Sequence, residues 1–177
     1  GGREGGLGAW AVTRGFSPVP DAHGKRAAAG LRGGLGGGFP ITLSSEIGSL
    51  GFLERENASI LNAALYDVAR TTADSFEAAL ASEGLTDVAV YLGQNDGTLM
   101  SVDYAKRYPI FTIACGPTNS IRGASYPSRP ADALVPDVAR TTTDPGVLAH
   151  GFPREHGAAA AIRAQRTHPR MPAIRPP

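Results

Sequence analysis

Residues 133–151 read ALVPDVARTTTDPGVLAHG, and this stretch decides the fold that the sequence predicts. Two short apolar segments, 133–135 and 147–148, enclose a polar turn that contains three consecutive threonines. A strand, a polar turn and a returning strand are typical of a β-hairpin. Asp137 and Asp144 flank the threonines, so hydroxyl and carboxylate groups crowd the predicted tip.

Two interpretations of this tip stay open. Hydroxyl and backbone N–H groups can face a phosphate while a carboxylate holds Mg²⁺ directly or through water. The same residue types also suit an ordinary polar turn that binds nothing. The first interpretation predicts a phosphate and metal site at the tip, and the second predicts a purely structural hairpin.

A second feature that suits an anion precedes the hairpin. Residues 110–114, IFTIA, predict a strand, and the Gly-Pro pair that follows ends it. Proline is favoured in the first turn of a helix, so we predict a helix over residues 116–124. The N-terminus of a helix attracts anions through its free N–H groups and its dipole. The candidate contacts for a phosphate or substrate are therefore Gly116, Thr118 and Asn119.

Cys115, the only cysteine, stands immediately before this helix and excludes an internal disulfide. A thiol at a helix N-terminus can act as a nucleophile, whereas a small packed residue is the structural alternative. A lone free cysteine also fits a reducing compartment, which indicates a cytoplasmic protein.

The remaining regular elements follow from periodicity. Apolar residues recur every three or four positions over residues 53–83 and predict one long helix that ends at Gly84, with a break conceivable at the two threonines 71–72. We expect this helix to pack through Leu61, Leu65, Val68 and Leu80. Shorter elements are predicted as a helix over 21–31, a strand over 41–44, a buried strand over 88–92, a tight turn at Asp96-Gly97, and a helix over 102–107 capped by Ser101.

Several segments together resemble one family. They are IACGPTNSIRGA at 113–124, GFPRE at 151–155, LEREN at 53–57, LNA at 61–63 and the threonine-rich hairpin. They are similar to the start of the hydantoinase A-type domain in the hydantoinase/oxoprolinase family. That family has an actin-like ATPase, ribonuclease-H-like fold. The resemblance thus implies an α/β chain forming part of such a fold, with one long helix and a β-hairpin phosphate motif.

The resemblance also implies a function. Members of the family couple ATP cleavage to the opening of cyclic amides such as hydantoin or 5-oxoproline, which implies ATP and Mg²⁺ as cofactors and a second hydantoinase subunit as partner. In this scheme Asp137 and Asp144 are catalytic, and Asp137 also binds the metal. The implied phosphate contacts are Gly116, Thr118, Asn119, Thr141, Thr142 and Thr143.

The hairpin departs from its family in four positions. The family has Gly-Gly where this chain has Ala139 and Arg140, and a Cβ at such a turn costs about 1–2 kcal/mol if the backbone is left-handed. Pro136 and Pro145 each remove a backbone donor from a predicted strand. These departures favour a second function class, a non-catalytic scaffold or interaction module of the same fold. They also predict that the chain alone is inactive as a hydrolase.

Composition limits the other possibilities. The net charge of +1 gives no general reason to expect a nucleic acid or an anionic membrane as partner, and the basic tail lacks aromatic residues for stacking on bases. We expect three segments, a glycine-rich part over 1–38, the start of the hydantoinase A-type domain over 39–156, and an irregular basic tail over 157–177. The missing initial Met and the absence of the family's later glycine-rich phosphate segment predict a fragment of a longer protein.

Overall fold

A computed structural model describes residues 9–13, 22–34, 39–48, 52–128, 131–138, 143–154, 160–162 and 165–167. The helices and strands of these residues, in chain order, are β1 (Trp10–Val12), α1 (Ala22–Gly34), β2 (Ile41–Leu43), α2 (Ser44–Ile47), α3 (Phe52–Ser82), β3 (Tyr91–Gly93), β4 (Leu99–Ser101), α4 (Val102–Arg107), a 3-10 helix (Pro109–Thr112), α5 (Cys115–Ser128), β5 (Ala133–Val138), β6 (Thr143–Ala149), β7 (Phe152–Pro153), β8 (Ala160–Ile162) and β9 (Gln165–Thr167). The predicted mixed α/β class is confirmed, and the actin-like ATPase architecture stays a prediction.

The N-terminal elements form a small parallel unit. β1 pairs with β2 in parallel, with Trp10 opposite Ile41. Parallel neighbours require a crossover connection, which α1 provides. Ala28 of α1 is buried against Ile41 and Leu43, so the apolar side of this helix covers the two strands. The predicted helix over 21–31 is confirmed from Ala22 onward and continues to Gly34, and the predicted strand over 41–44 is confirmed as far as Leu43, since Ser44 begins α2.

The long helix α3 runs for 31 residues without a break. Its threonines do not interrupt it, and the Thr72 hydroxyl donates to the Val68 carbonyl at 2.8 Å within the helix. Gly84 follows with φ 76°, the left-handed conformation that favours glycine after a helix end. One expected contact is wrong: Val68 is 65% exposed and does not pack into the core. Most of the buried residues of α3 lie in its N-terminal half.

A buried amide ties this half of α3 to its surroundings. Asn62 is fully buried, and its Nδ2 donates to Thr42 Oγ1 at 2.8 Å and to the Arg107 carbonyl at 3.2 Å. Its Oδ1 accepts the Ile110 N–H at 3.2 Å. Around it, Ile47, Ala58, Tyr108 and Ile110 form an apolar cluster. Asn62 therefore joins β2, α4 and the 3-10 helix to α3.

The strand predicted over residues 110–114 is wrong, because this segment begins as the 3-10 helix Pro109–Thr112. The prediction rested on the β-propensity of Ile, Phe and Thr, but tertiary contacts override propensity here. The Ile110 N–H bonds to Asn62 and the Phe111 carbonyl accepts the Asn95 N–H at 2.8 Å. Each of these two backbone groups forms its hydrogen bond with a different part of the chain, and neither bonds to a neighbouring strand.

The buried strand predicted over 88–92 is also corrected. Only Tyr91–Gly93 forms a strand, and Tyr91 is 60% exposed. It pairs with β4, and no third strand among the described residues joins this sheet. Neighbouring predictions are confirmed: Asp96 Oδ1 accepts the Thr98 N–H at 2.9 Å in the tight turn, and Ser101 Oγ accepts the Tyr104 N–H at 3.2 Å to cap α4.

The predicted hairpin is confirmed, and its register explains its prolines. β5 pairs antiparallel with β6, and Pro136 lies directly opposite Pro145. Antiparallel pairs alternate between those that exchange two N–H···O bonds and those that exchange none. Two residues without N–H groups can occupy only the second kind of pair. The prolines therefore remove no hydrogen bond from the β5–β6 ladder, contrary to the expectation from sequence.

Two short strands lie within the stretch expected to be irregular. β8 and β9 pair antiparallel, and β9 contacts α3. The remaining residues of 157–177, like residues 1–8 of the glycine-rich segment, lie outside the described residues. Among the helices of the described residues, not one combines the length and the apolar character needed to span a lipid bilayer.

Candidate phosphate and metal site

Helix α5 begins where the sequence predicts an anion-binding helix end. It extends from Cys115 to Ser128, four residues beyond the expected end, with Pro117 in its first turn. Ala114, just before it, has φ 60°, so the chain turns sharply into the helix. Gly116 is exposed, and a Cβ built on it would meet no atom within 4 Å. The backbone at this helix end is therefore accessible to a ligand.

Thr118 lies on the inner side of this first turn. Its side chain is fully buried, and its hydroxyl lies 3.0 Å from the Asn95 carbonyl and 3.3 Å from that of Ala114. A hydroxyl has one proton to donate, so this proton is directed to protein carbonyls. Thr118 thus fastens α5 to the tight turn that contains Gly97. A Cβ on Gly97 would come within 3.1 Å of Thr118 Cγ2.

Asn119 lies on the exposed side of the same turn, close to β3. A Cβ on Gly93 would come within 2.8 Å of Asn119 Oδ1, so the missing side chain of Gly93 allows this approach. The structure therefore places the three candidate residues of α5 differently. Gly116 and Asn119 are accessible, whereas Thr118 is part of the packing.

Residues in the middle of α5 contact the hairpin and the segment that follows it. Ile121 is buried directly over Gly146 of β6. Arg122 donates from one guanidinium nitrogen to the Gly151 carbonyl at 3.0 Å, and its guanidinium carbon lies 4.4 Å from the centre of the Phe152 ring. The two segments with the strongest family resemblance, CGPTNSIRGA and GFPRE, are thus joined through one arginine. No pattern in the sequence around Arg122 predicts its contact with Gly151 and Phe152, because these residues are far from it along the chain.

The hairpin register brings the two candidate carboxylate positions together. Asp137 lies directly opposite Asp144. The next pair, Val138 opposite Thr143, is the last one of the ladder before the tip. Asp137 is half-buried. The register therefore sets the two candidate positions opposite each other on neighbouring strands, beside the predicted tip.

The remaining predicted contacts are only partly described. Thr143 is the first residue of β6, whereas Thr141 and Thr142 lie outside the described residues together with Ala139 and Arg140. Among the described residues, no group of three or more His, Cys, Asp or Glu side chains is arranged to hold a metal ion. Cys115 is half-buried as the first residue of α5.

Comparison with known proteins identifies the class of protein. Residues 55–174 match the family model described as hydantoinase/oxoprolinase. This match covers more than half of the sequence, so the chain belongs to the hydantoinase/oxoprolinase family, and the resemblance of its motifs is confirmed. No curated protein is significantly similar to it.

Solved structures with a similar fold are known. One of them is a chain of acetone carboxylase, in a nucleotide-free structure from work on the mechanism of ATP-dependent acetone carboxylation. The TM-score is 0.58 and the sequence identity 16%, over 88% of this chain. The chain spans 22% of the length of that carboxylase chain.

Proposed function

We propose that this chain contributes the nucleotide-facing part of an ATP-dependent hydrolase that opens cyclic amides such as hydantoin or 5-oxoproline. The observation that carries the proposal is the register of the hairpin, which sets Asp137 opposite Asp144 beside the threonine-rich tip. Family membership and the ATP-dependent enzyme with a similar fold support it. A second hydantoinase subunit is the partner we propose for the assembled enzyme, and the actin-like ATPase fold is the architecture.

Mg²⁺ fits the hairpin chemically. It prefers oxygen ligands and commonly uses one or two carboxylates together with substrate phosphates. When bound, it would neutralise the phosphate charge. In this proposal Asp137 holds the metal, Asp144 orients the attacking water, and Thr141 to Thr143 contact the phosphates.

The nucleotide fits α5 only in part. The accessible N–H groups near Gly116 and the exposed Asn119 suit a phosphate, because the positive end of the helix dipole lies there. Thr118 does not contribute its proton, since its hydroxyl is buried and directed to protein carbonyls. We therefore assign Thr118 a positioning role, which holds the first turn of α5 against the Gly97 turn.

The second candidate function is a non-catalytic scaffold of the same fold. Two observations favour it specifically, the buried hydroxyl of Thr118 and the replacement of the family's Gly-Gly by Ala139 and Arg140. A bulky arginine at a tight tip hinders the approach of a phosphate. We therefore expect no ADP release that depends on hydantoin or 5-oxoproline from the unaltered chain. Sustained release from a preparation free of contaminating ATPase would contradict this.

The deciding experiment repairs the tip. Ala139→Gly with Arg140→Gly restores the family's glycines, and the prolines stay because they remove no ladder bond. We expect the repaired chain to bind Mg-ADP roughly tenfold more tightly than the unaltered chain, because glycine lets the backbone take a left-handed conformation around the phosphate at about 1–2 kcal/mol less cost. Isothermal titration calorimetry with Mg²⁺ and with a chelator measures both affinities.

Two further variants of the repaired chain serve as test and control. Asp137→Asn should weaken binding in the presence of Mg²⁺ and have little effect with the chelator, since it removes a metal ligand. Asp87→Asn makes the same change at an exposed carboxylate of the loop between α3 and β3 and should leave both affinities unchanged. Equal affinities in all four proteins would reject the hydrolase proposal in favour of the scaffold.

A further inference from the structure

Arg122 is the only charged residue of α5, and two contacts hold its guanidinium in a fixed orientation. The side chain is half-buried. One terminal nitrogen donates to the Gly151 carbonyl at 3.0 Å, and the guanidinium carbon lies 4.4 Å from the centre of the Phe152 ring. The carbonyl fixes one edge of the planar group and the aromatic ring covers one face, so the remaining edges point in defined directions.

Most of the hydrogen-bonding capacity of Arg122 is unused within the described part of the chain. A guanidinium has five N–H donors and no acceptor, and the only described group that accepts from Arg122 is the Gly151 carbonyl. No described Asp or Glu forms an ion pair with it. Nε and Nη2 are therefore available, and their parallel N–H groups match the two oxygens of a carboxylate.

The turn that packs against α5 contributes another donor without an acceptor. Asn95 is 1% exposed, and its Nδ2 has no hydrogen-bond partner among the described residues. Its backbone carbonyl accepts the Thr118 hydroxyl at 3.0 Å, which places it against the first turn of α5. Asp96, the acid of this turn, accepts both the N–H and the hydroxyl of Thr98 with Oδ1. The junction between this turn and α5 thus has a surplus of donors.

Two glycines of the same segment let polar side chains of α5 approach it. A Cβ on Gly97 would lie 3.3 Å from Arg122 Cγ, and a Cβ on Gly93 would lie 2.8 Å from Asn119 Oδ1. Asn119 precedes Arg122 by three positions, so the two are neighbours on one side of the helix. The Asn119 carboxamide is exposed and forms no hydrogen bond with the described residues. An amide and a guanidinium therefore lie side by side along this turn.

The local charge also favours an anion. Residues 115–128 and 150–154 contain two arginines and no acidic residue. The second arginine, Arg154, is exposed and forms no ion pair with the described residues. Asp132, which lies before β5, is already bonded to the His150 N–H at 3.1 Å. A negatively charged ligand would compensate a charge that the described residues leave unpaired.

The position of Arg122 relative to the helix end suits a substrate. It follows Gly116 by six residues, which is about 9 Å along the helix axis. A phosphate at Gly116 and a carboxylate at Arg122 would thus be held by one rigid element. A ring bound through its carboxylate would lie close to the nucleotide phosphates, as the proposed ATP-dependent reaction requires.

We propose that Arg122 binds a carboxylate carried by the cyclic amide substrate. The chain then selects rings of the 5-oxoproline type over hydantoin, which has no carboxylate. Nε and Nη2 donate to the two carboxylate oxygens, and Asn119 borders the ring. The inference rests on the proposed function for the class of ring, and it adds the substituent that the site recognises.

A matched pair of ligands tests this in the unaltered chain, without nucleotide or metal. L-5-Oxoproline and 2-pyrrolidinone share the same lactam ring, and only the first carries a carboxylate. We expect 5-oxoproline to bind roughly tenfold more tightly or better, because charge-assisted bidentate hydrogen bonds are stronger than neutral ones. Titrations followed by nuclear magnetic resonance measure both affinities, and the Arg122 Nε–H signal should shift with 5-oxoproline alone. The preference should diminish between roughly 50 and 500 mM salt, because exposed charges are screened.

Matched variants locate the binding residue. Arg122→Gln should remove the preference for 5-oxoproline, and Arg122→Lys should retain only a small part of it, since a lysine keeps the charge without the planar fork. Arg70→Gln removes the same charge from an exposed arginine of α3 and should leave both affinities unchanged. Circular dichroism shows whether each variant folds. If Arg122→Gln does not fold, the Arg122 Nε–H signal of the unaltered chain still decides.

Three results would overturn the proposal. They are equal binding of the two rings, a preference that survives Arg122→Gln, and an Arg122 signal that 5-oxoproline does not shift. Pyrophosphate tests the other source of anionic oxygens. If it shifts this signal at lower concentration than 5-oxoproline does, Arg122 serves the nucleotide phosphates and the substrate assignment is wrong. The titration of the repaired tip with Mg-ADP is separate, so a chain that binds Mg-ADP without distinguishing the rings refutes only the role of Arg122.

Discussion

Replacing Asn62 by alanine is the sharpest test of how the long helix is held. The substitution removes three hydrogen bonds, to Thr42 Oγ1, the Arg107 carbonyl and the Ile110 N–H. Each bond contributes about 1 kcal/mol net, and the N–H of fully buried Ile110 would be left without its amide acceptor at a further cost of about 1–3 kcal/mol. We expect a loss of about 4–6 kcal/mol, a large share of the roughly 5–15 kcal/mol that stabilises a typical domain.

Urea unfolding followed by circular dichroism at the helical band measures this loss. Thr42→Val removes only one of the three bonds at nearly constant volume and should cost about 1 kcal/mol, so it reports on the network even if Asn62→Ala does not fold. Ser75→Ala is the control, because the Ser75 hydroxyl bonds to the Thr71 carbonyl on the exposed side of the same helix. This substitution should change the free energy of unfolding by less than about 0.5 kcal/mol. If Asn62→Ala costs no more than Ser75→Ala, the buried amide does not hold these elements together.

Two further substitutions test the packing. Burial and the hydrogen bond to Glu46 raise the pKa of Tyr108, so its contribution to stability is complete below about pH 10 and declines above it, where the unfolded chain ionises first. When the pH rises from about 8 to 11, Tyr108→Phe should therefore lose less stability than the unaltered protein. Urea titrations at each pH measure both losses. Equal losses would show that Tyr108 does not cause the pH dependence. Gly146→Ala would drive a methyl group into the buried Ile121 side chain and should lower the free energy of unfolding by about 1–3 kcal/mol. The loss caused by Gly146→Ala should be smaller in a chain that already carries Ile121→Val. If the two losses are simply additive in a double-mutant cycle, this contact is excluded.

Local signals in the sequence predicted the elements whose contacts are also local. The cap at Ser101, the turn at Asp96 and Gly97, and the end of α3 at Gly84 each depend on neighbours within a few residues, and all are confirmed. The segment 110–114 failed because its conformation depends on Asn62, about 50 positions away. No pattern within the segment itself could reveal that its N–H would bond to a side chain of α3.

The same distinction applies to the candidate site. The family resemblance located the accessible helix end at Gly116 and the hairpin that carries Asp137, since short motifs define both. It did not reveal that the Thr118 hydroxyl is turned inward, because this follows from the packing of α5 against the Gly97 turn. The exposure of Val68 was equally hidden, since helical periodicity identifies an apolar face without identifying what covers it.

The opposed prolines of the hairpin also affect how the protein behaves among its own copies. In a pair that exchanges no hydrogen bonds, the N–H positions point away from the partner strand, so Pro136 removes one donor from the outer edge of β5, whereas β6 is the middle strand and pairs with β7 on its other side. The outer face of β5 is apolar, with Leu134 and Val138 72% and 73% exposed, and such a strand is prone to recruit another strand. A strand arriving at the β5 edge would meet a missing donor at Pro136, in the middle of its ladder. The proline therefore makes this edge a poorer template for the addition of another strand.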